Sequence, residues 1–265
     1  MKRLKFYIKL YFMMMSQYIK ARMQFRSDFY ISTFAMLLLN LTGLFSYWIL
    51  FKSINNIEGW NYYELLFLYA FALLALTPQQ LFFDNLWSIR FHLKSGAFLK
   101  YYFKPINTLF YYVSEVFDLK GLGQLAFALI IFCYSAAKLG ISWSVLNIFM
   151  LIIFLFSSSL IMIALMIISA SVSFWVIESV SVMELVSKMG QYARYPMTIF
   201  NFFFRFIFTG IIPIAFISYY PAIFFLRPNE YDIKIYLTPF IAIALFTVAY
   251  SVWKKGLNSY SGTGS

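Results

Sequence analysis

Few residues in this chain have side chains that could do chemistry. His92 is the only histidine and Cys133 the only cysteine. A His/Cys metal site needs several such ligands and a disulfide needs two cysteines, so the counts argue against the first and exclude the second within the chain. The G-x-x-x-x-G-K-[ST] loop that binds nucleotide phosphates is also absent. We therefore expect no catalytic residue, metal or cofactor on this chain, and we interpret His92 as a surface histidine.

Arg205 is the exception, because it stands in the apolar run Asn201-Phe-Phe-Phe-Arg-Phe-Ile-Phe. A charge inside a membrane span is costly and marks a functional site by default. Three interpretations remain open. The side chain snorkels to the inner headgroups, it pairs with a structural partner across the bundle, or it contacts substrate.

A second polar feature is the stretch Asp84–Pro105, DNLWSIRFHLKSGAFLKYYFKP, which separates long apolar runs. Asp84 or Asn85 is expected to cap a short helix, Gly96 to end it, and Lys104-Pro105 to force a turn. The basic residues alone are also typical of a loop that only follows the positive-inside rule. The short helix with apolar and basic faces favours a docking element.

The composition indicates whether these residues lie in water or in a membrane. The chain is 62% apolar and only 12% charged over 265 residues, with a mean hydropathy of +0.76. Soluble domains are about half apolar and about a quarter charged. The sequence therefore predicts an all-α integral membrane protein, so the net charge of +11 reflects membrane topology rather than nucleic-acid binding.

The apolar runs predict one six-helix transmembrane domain over residues 29–253. Residues 1–28 carry basic positions near the helical period and are expected to form an amphipathic helix in the headgroup layer. The 33 residues of run 145–177 would span about 50 Å, so this helix must tilt, bend or project. Gly210 and Pro213 interrupt the fifth run, which is expected to form one span and a short re-entrant helix. The predicted spans are 29–51, 65–83, 119–137, 145–177, 198–220 and 235–253.

Orientation follows from the distribution of basic residues. With the N-terminus inside, the inner segments (1–28, 84–120, the loop 178–196 and the tail 254–265) hold 16 of the 21 Lys and Arg. The outer loops hold four of them, and Arg205 is the remaining one. The positive-inside rule then predicts that both termini are cytoplasmic.

At this point the sequence resembles permease subunits of type 2 ABC transporters, and more narrowly the bacterial six-helix multidrug or viologen-exporter permeases. The resemblance covers nearly the whole chain and depends on the order and spacing of short motifs. The run Phe98–Phe103 departs from the pattern because it is unusually aromatic. The motifs are Lys94-Ser-Gly96, Phe98-Leu99, Lys104-Pro105, Val116-Phe-Asp118, Gly121-Leu-Gly123, Ile212-Pro213, Tyr220-Pro-Ala222, Trp253-Lys-Lys-Gly256-Leu257 and Tyr260-Ser-Gly262.

This resemblance implies a bacterial plasma-membrane exporter subunit. Such permeases pair with themselves or with a sister subunit, and they sit on two cytoplasmic ATPases that bind ATP and Mg. The implied coupling helix is 87–97, and replacing Ile89 and Leu93 by Asp is expected to uncouple ATP hydrolysis without unfolding the spans. The implied ATPase-coupling residues are Trp87, Ile89, Arg90, His92, Leu93, Lys94 and Gly96.

The charge-poor, aromatic spans favour a hydrophobic or amphipathic cargo such as a drug, a peptide or a lipid-like molecule. A sugar or a small ion would need converging polar groups at mid-membrane. The main alternative is a secondary transporter or channel without an ATPase, but an ion-coupling carboxylate and an inverted repeat are not evident. A membrane component of a vitamin uptake system and a membrane-embedded enzyme are weaker alternatives.

Overall fold

A computed structural model describes residues 2–54, 56–176, 179–228 and 232–260, and these residues form helices joined by turns. The predicted end of the fourth span at Ile177 and the Ser261-Gly262 part of the C-terminal motif lie outside the described residues. The helices are α1 Lys2–Arg22, α2 Arg26–Ser53, α3 Tyr62–Phe83, α4 Ile89–Lys94, α5 Leu99–Tyr102, α6 Thr108–Ser114, α7 Lys120–Lys138, α8 Val145–Ser171, α9 Val180–Gln191, α10 Phe202–Phe206, α11 Tyr219–Leu226 and α12 Lys234–Ser259.

The prediction of an all-α membrane protein is confirmed. Five helical stretches in the described chain are long and apolar enough to cross a membrane, and a sharply bent helix pair raises the number to six if it counts as one span. The five stretches are Ser27–Lys52, Tyr62–Lys94, Lys120–Lys138, Val145–Phe174 and Lys234–Ser259.

Helices α3 and α8 form the centre of the bundle, and α7 and α12 pack beside them. Helix α3 begins at a capping box, in which Asn61 and Glu64 each accept the other's backbone N–H. One buried cluster lies near Trp60, which precedes α3, and another surrounds Phe98. We call the two ends of the bundle the Trp60 end and the Phe98 end.

Helix α1 lies where the sequence predicts an amphipathic N-terminal helix. The Tyr7 ring packs 4.8 Å from the Phe110 ring of α6, and Tyr11 contacts Phe82 near the end of α3. Lys5, Lys9 and neighbouring apolar side chains stay exposed. This mixed surface suits a position at a membrane boundary.

The predicted inner loop 178–196 is wrong, because it contains the 12-residue helix α9. This helix starts near the Phe98 end, where Ser179 bonds Ser173 at 2.7 Å, and its last turn places Gly190 against Met162 of α8. Beyond it, Thr198 accepts a 3.0 Å hydrogen bond from the Trp60 indole. The chain 180–199 therefore returns along the bundle to the Trp60 end. The prediction failed because exposed polar residues on one face, such as Glu184 and Lys188, interrupt the apolar run.

The predicted fifth span 198–220 is not one helix. The helical stretches Phe202–Ile211 and Ile214–Leu226 are bent by 73° relative to each other at the break around Pro213. The bend reaches the middle of α8, where Ser158 donates to the Phe216 carbonyl at 3.2 Å. Both arms point back to the Trp60 end, because Phe225 packs on Phe67 and the first arm follows Thr198. The run is therefore a bent helix pair rather than one continuous helix.

Candidate functional site

The Asp84–Pro105 segment continues directly from α3. A 3-10 turn over Asp84–Ser88 leads into α4, so the helical stretch runs from Tyr62 to Lys94. The expected capping by Asp84 or Asn85 is wrong: Ser88 holds the cap position of α4 without a side-chain bond. The Asn85 amide instead donates to the Tyr112 carbonyl at 2.6 Å. The segment is thus an extension of a central helix.

Gly96 ends α4 as predicted. Its φ of +73° lies in the left-handed region that favours glycine. Its N–H donates to the Leu93 carbonyl at 3.3 Å, and the N–H of Phe98 donates to the His92 carbonyl at 3.0 Å. These bonds turn the chain back under α4 and bring Phe98 beneath it.

Burial divides the seven predicted coupling residues into two groups. Ile89 is 0% exposed and Leu93 is 7% exposed, so both face the core of the bundle. Trp87, Arg90, His92 and Gly96 are half-buried, and Lys94 is exposed. The expectation that Asp at positions 89 and 93 would spare the spans is revised, because it would bury charges in the core.

A cluster of aromatic rings lies beneath α4. Phe98 is 0% exposed and forms its centre, with the rings of Tyr101 and Tyr112 each at 5.6 Å, Phe174 and Tyr260 at 5.5 Å, and Trp253 at 6.3 Å. We call these six residues the Phe98 cluster. It joins the segment after α4 to the end of α8 and to α12, which pack extensively on each other. Motifs that lie about 150 residues apart in the chain therefore meet here.

Polar bonds fix this cluster to the extension of α3. Tyr112 donates to the Asn85 carbonyl at 2.9 Å, which makes the bonding between the two residues reciprocal. Burial raises the pKa of the Tyr112 hydroxyl, so it keeps the proton that it donates. The hydroxyl must then accept from His92 Nδ1, which lies 3.0 Å away. The interpretation of His92 as a plain surface histidine is thus revised to a half-buried residue that helps to hold α4.

The outer face of this segment is aromatic and basic. Phe91 is 70% exposed and Phe103 is 76% exposed, and Lys94 and Lys104 are exposed beside them in the chain. We call these four residues the Phe91 surface. Lys100 pairs with Glu115 at 2.6 Å, and the Tyr101 hydroxyl bonds the same carboxylate. Sequence reasoning selected the basic residues but missed both phenylalanines, although the aromatic run Phe98–Phe103 was a visible signal.

Arg205 lies at the Trp60 end. Its guanidinium donates to the carbonyls of Met197 at 3.2 Å, Thr198 at 3.0 Å and Phe200 at 3.2 Å. The prediction placed it two turns into a span that starts at the opposite end, because the direction of the chain there was misassigned. The residue closes the turn before α10 with local bonds rather than with a partner across the bundle.

Arg194 is a second arginine that sequence reasoning placed in an inner loop. The structure places it between α2 and α3, with its Cζ 5.5 Å from the centre of the Tyr69 ring. Its Nε is buried without a hydrogen-bond partner among the described residues. Only the helical path of residues 180–191 reveals this position, and the mixed polar pattern of that stretch concealed it.

In the described part of the chain, no three His, Cys, Asp or Glu side chains come together as a metal site would require. The described residues instead form an exposed aromatic and basic surface, a buried aromatic cluster and the two long helices that this cluster contacts. A family model described as "ABC-2 family transporter protein" matches residues 37–264. The chain belongs to the ABC-2 transporter family.

The match includes the Asp84–Pro105 segment, both arginines and the Phe98 cluster. It confirms the predicted resemblance to ABC-2 permeases, which are membrane transport subunits without catalytic activity of their own and work with ABC ATPases. The membrane helices agree with a multi-pass plasma-membrane protein. No curated protein and no solved structure matches the chain.

Proposed function

We propose that this ABC-2 permease is the membrane subunit of an ATP-driven exporter and that its ATPase docks on the Phe91 surface. The observation that carries the proposal is the contrast within α4: Ile89 and Leu93 are buried, while Phe91 and Lys94 are exposed. Large exposed aromatic residues beside basic ones are typical of protein interfaces. Two ATPases, each with ATP and Mg, drive a pair of permeases in this proposal.

The proposed topology has six crossings and both termini in the cytoplasm. The crossings are α2, α3, α7, α8, the returning chain 180–199, and α12, while the bent pair 202–226 stays on the outer side. Its support is the charge distribution, because Lys94, Lys100, Lys104 and Lys120 belong to the Phe98 end. Cytoplasmic segments collect Lys and Arg, so the Phe98 end faces the ATPases.

Movement of the ATPases reaches the spans through the Phe98 cluster. A push on α4 bears on Phe98, and Phe98 contacts Phe174 at the end of α8 and Trp253 of α12. Close-packed interiors transmit displacement rather than absorb it. The pair of permeases then switches between two packings as rigid bodies.

The cargo is hydrophobic or amphipathic and leaves from the cytoplasm or the inner leaflet. The central span α3 supports this, because its buried side chains are almost all apolar or aromatic. Such a path lacks the converging polar groups that a sugar or a small ion would need.

Co-purification tests the proposal most directly. The chain is expressed with the ABC ATPase encoded beside it, extracted in mild detergent, and assayed for bound ATPase and ATP hydrolysis. Phe91→Ala with Phe103→Ala is expected to release the ATPase while the permease stays folded. Phe240→Ala is the matched control, because Phe240 of α12 is also 70% exposed. Full retention of the ATPase by the double variant would contradict docking at this surface, and a chain that binds no ATPase would favour a secondary transporter.

A further inference from the structure

Arg194 lies within the apolar part of the bundle. Its carbonyl accepts a 2.8 Å hydrogen bond from Tyr47 of α2, and its guanidinium lies over the Tyr69 ring of α3. Tyr69 is the eighth residue of α3, about 10 Å along the helix from its Trp60 end at ~1.5 Å per residue. A membrane core is about 30 Å thick, so the guanidinium lies inside it, in the half nearer the Trp60 end.

The Arg194 guanidinium is uncompensated by the described residues. None of them forms an ion pair or a hydrogen bond with it, and its Nε is buried. An ionisable group at such a depth is costly and is retained for a function. Arg205 provides the contrast, because three carbonyls satisfy it at the same end of the bundle.

The Tyr69 ring under the guanidinium belongs to a row of packed tyrosine rings. The Tyr47 ring lies 5.7 Å from Tyr69 and 5.8 Å from Tyr195. The position of Tyr69 depends on Gly43 of α2, because a Cβ there would lie 2.7 Å from the Tyr69 hydroxyl. The rings present an apolar wall with polar edges beside a cation.

A second unused donor lies on the same side of α2. The Tyr69 hydroxyl donates to the Asn40 carbonyl at 2.9 Å. Asn40 is only 4% exposed, and its amide Nδ2 has no partner among the described residues. Buried donors are nearly always bonded in native proteins. Seven buried polar atoms of the described chain have no partner, and this is the place where one of them belongs to a cation and a second lies beside the same ring.

We propose that Arg194 binds the anionic group of an amphiphile, either a carboxylate or a phosphate, with Tyr47, Tyr69 and Tyr195 against its apolar part. The planar guanidinium matches both anions through paired N–H bonds. Gln191 and Tyr195 are exposed next to it, so the site opens to the surface of the protomer. This proposal rests on the proposed function in one respect: the bound amphiphile is taken to be the transported cargo.

Binding by the full-length permease in phosphatidylcholine nanodiscs tests this site without an ATPase. The probes are a dansyl-labelled undecanoic acid and a dansyl-labelled alkylamine of equal length. Arg194→Gln is expected to weaken binding of the acid about tenfold or more, since bonds to charged groups are the strong ones. Binding of the amine is expected to stay unchanged. Lys188→Gln is the control, because it removes an exposed cation of α9 outside the row of tyrosine rings and is expected to leave both affinities unchanged.

A conservative variant and a competing lipid complete this experiment. If Arg194→Gln does not fold, Arg194→Lys decides, because it keeps the charge but loses the paired N–H geometry, and it is expected to weaken acid binding severalfold. Added phosphatidylglycerol that competes identifies a lipid phosphate as the occupant, whereas lack of competition identifies a diffusible acid. Unchanged acid binding, or equal losses for acid and amine, would overturn the anion site. Because no ATPase is present, failure of ATPase docking leaves this result untouched.

Discussion

The two ends of this permease are built differently. At the Phe98 end, side chains about 150 residues apart interlock, and Tyr112 bonds both Asn85 and His92. At the Trp60 end, the chain after α9 breaks into short turns, a five-residue π turn over Ile207–Ile211 and a 73° bend. Buried donors without a partner among the described residues occur at both ends, with Asn40 Nδ2 and Arg194 Nε toward the Trp60 end and the Trp253 indole and Tyr260 hydroxyl in the Phe98 cluster.

This difference indicates two mechanical roles. A tightly packed region moves as a unit, which suits an element that receives force from an ATPase. Irregular backbone at membrane depth occurs where it is buried in protein or lines a cavity, and π turns are frequent at functional sites. We therefore propose that the helices separate and the cargo binds at the Trp60 end.

The largest effect is expected from a charge on the inner side of α4. Ile89→Asp would place a carboxylate at a position that is 0% exposed. We expect loss of the folded permease from the detergent extract, because the free-energy cost of burying an unpaired charge is comparable to the whole free energy of unfolding of a marginally stable protein. Phe91→Asp, two residues away on the exposed side, is expected to fold normally and to lose only its ATPase. Normal folding of Ile89→Asp, seen as a monodisperse size-exclusion peak, would contradict the assigned orientation of α4.

The second-largest effect is expected from truncating Phe98, the central ring of the Phe98 cluster. Phe98→Ala removes a fully buried ring with five aromatic neighbours, and about 3–5 kcal/mol of unfolding free energy is expected to be lost. Thermal unfolding in detergent measures this, with Phe103→Ala as the control because Phe103 is 76% exposed. If both variants melt at the same temperature, the Phe98 cluster does not stabilise this end more than the surface does.

Much of this fold was predictable, because apolar periodicity reports burial in lipid. The helices α2, α3, α7, α8 and α12 lie at the predicted spans 29–51, 65–83, 119–137, 145–177 and 235–253, with α7 beginning at Lys120 and α8 ending at Ser171. Gly96 was predictable as a stop because its conformation is encoded locally. The family was predictable from motif order, and residues 37–264 match its model.

Helix α9, the bend in the run 198–220 and the burial of Ile89 could not be predicted from local sequence patterns. Helix α9 carries Glu184 and Lys188 on an exposed face, so its apolarity falls below that of a lipid-facing span. The bend at Pro213 within the apolar run 198–220 was not predictable in its angle, because a bent helix pair is as apolar as a straight span. The inward direction of Ile89 depends on Phe98 returning beneath α4, a tertiary contact that spacing within the segment does not contain.

A smaller effect is expected from removing a single hydroxyl at the Phe98 end. Tyr112→Phe leaves the Asn85 carbonyl and His92 Nδ1 without their shared partner. A cost of about 1–3 kcal/mol follows from unsatisfied buried groups. Tyr102→Phe is the control, since Tyr102 is 43% exposed. Equal thermal stability of the two variants would mean that packing alone, without the polar bonds, holds the extension of α3.

The smallest effect is expected from Arg205, and it tests whether the Trp60 end really contains one structural and one binding arginine. Arg205→Gln removes the bonds to the carbonyls of Met197, Thr198 and Phe200 at an exposed site. About 1 kcal/mol is expected to be lost, which corresponds to roughly fivefold faster hydrogen exchange in peptides covering 196–206. Acid binding in nanodiscs is expected to stay as in the wild type. The reverse pattern, with unchanged exchange and weakened acid binding, would assign the substrate contact to Arg205 and leave Arg194 as a structural cation.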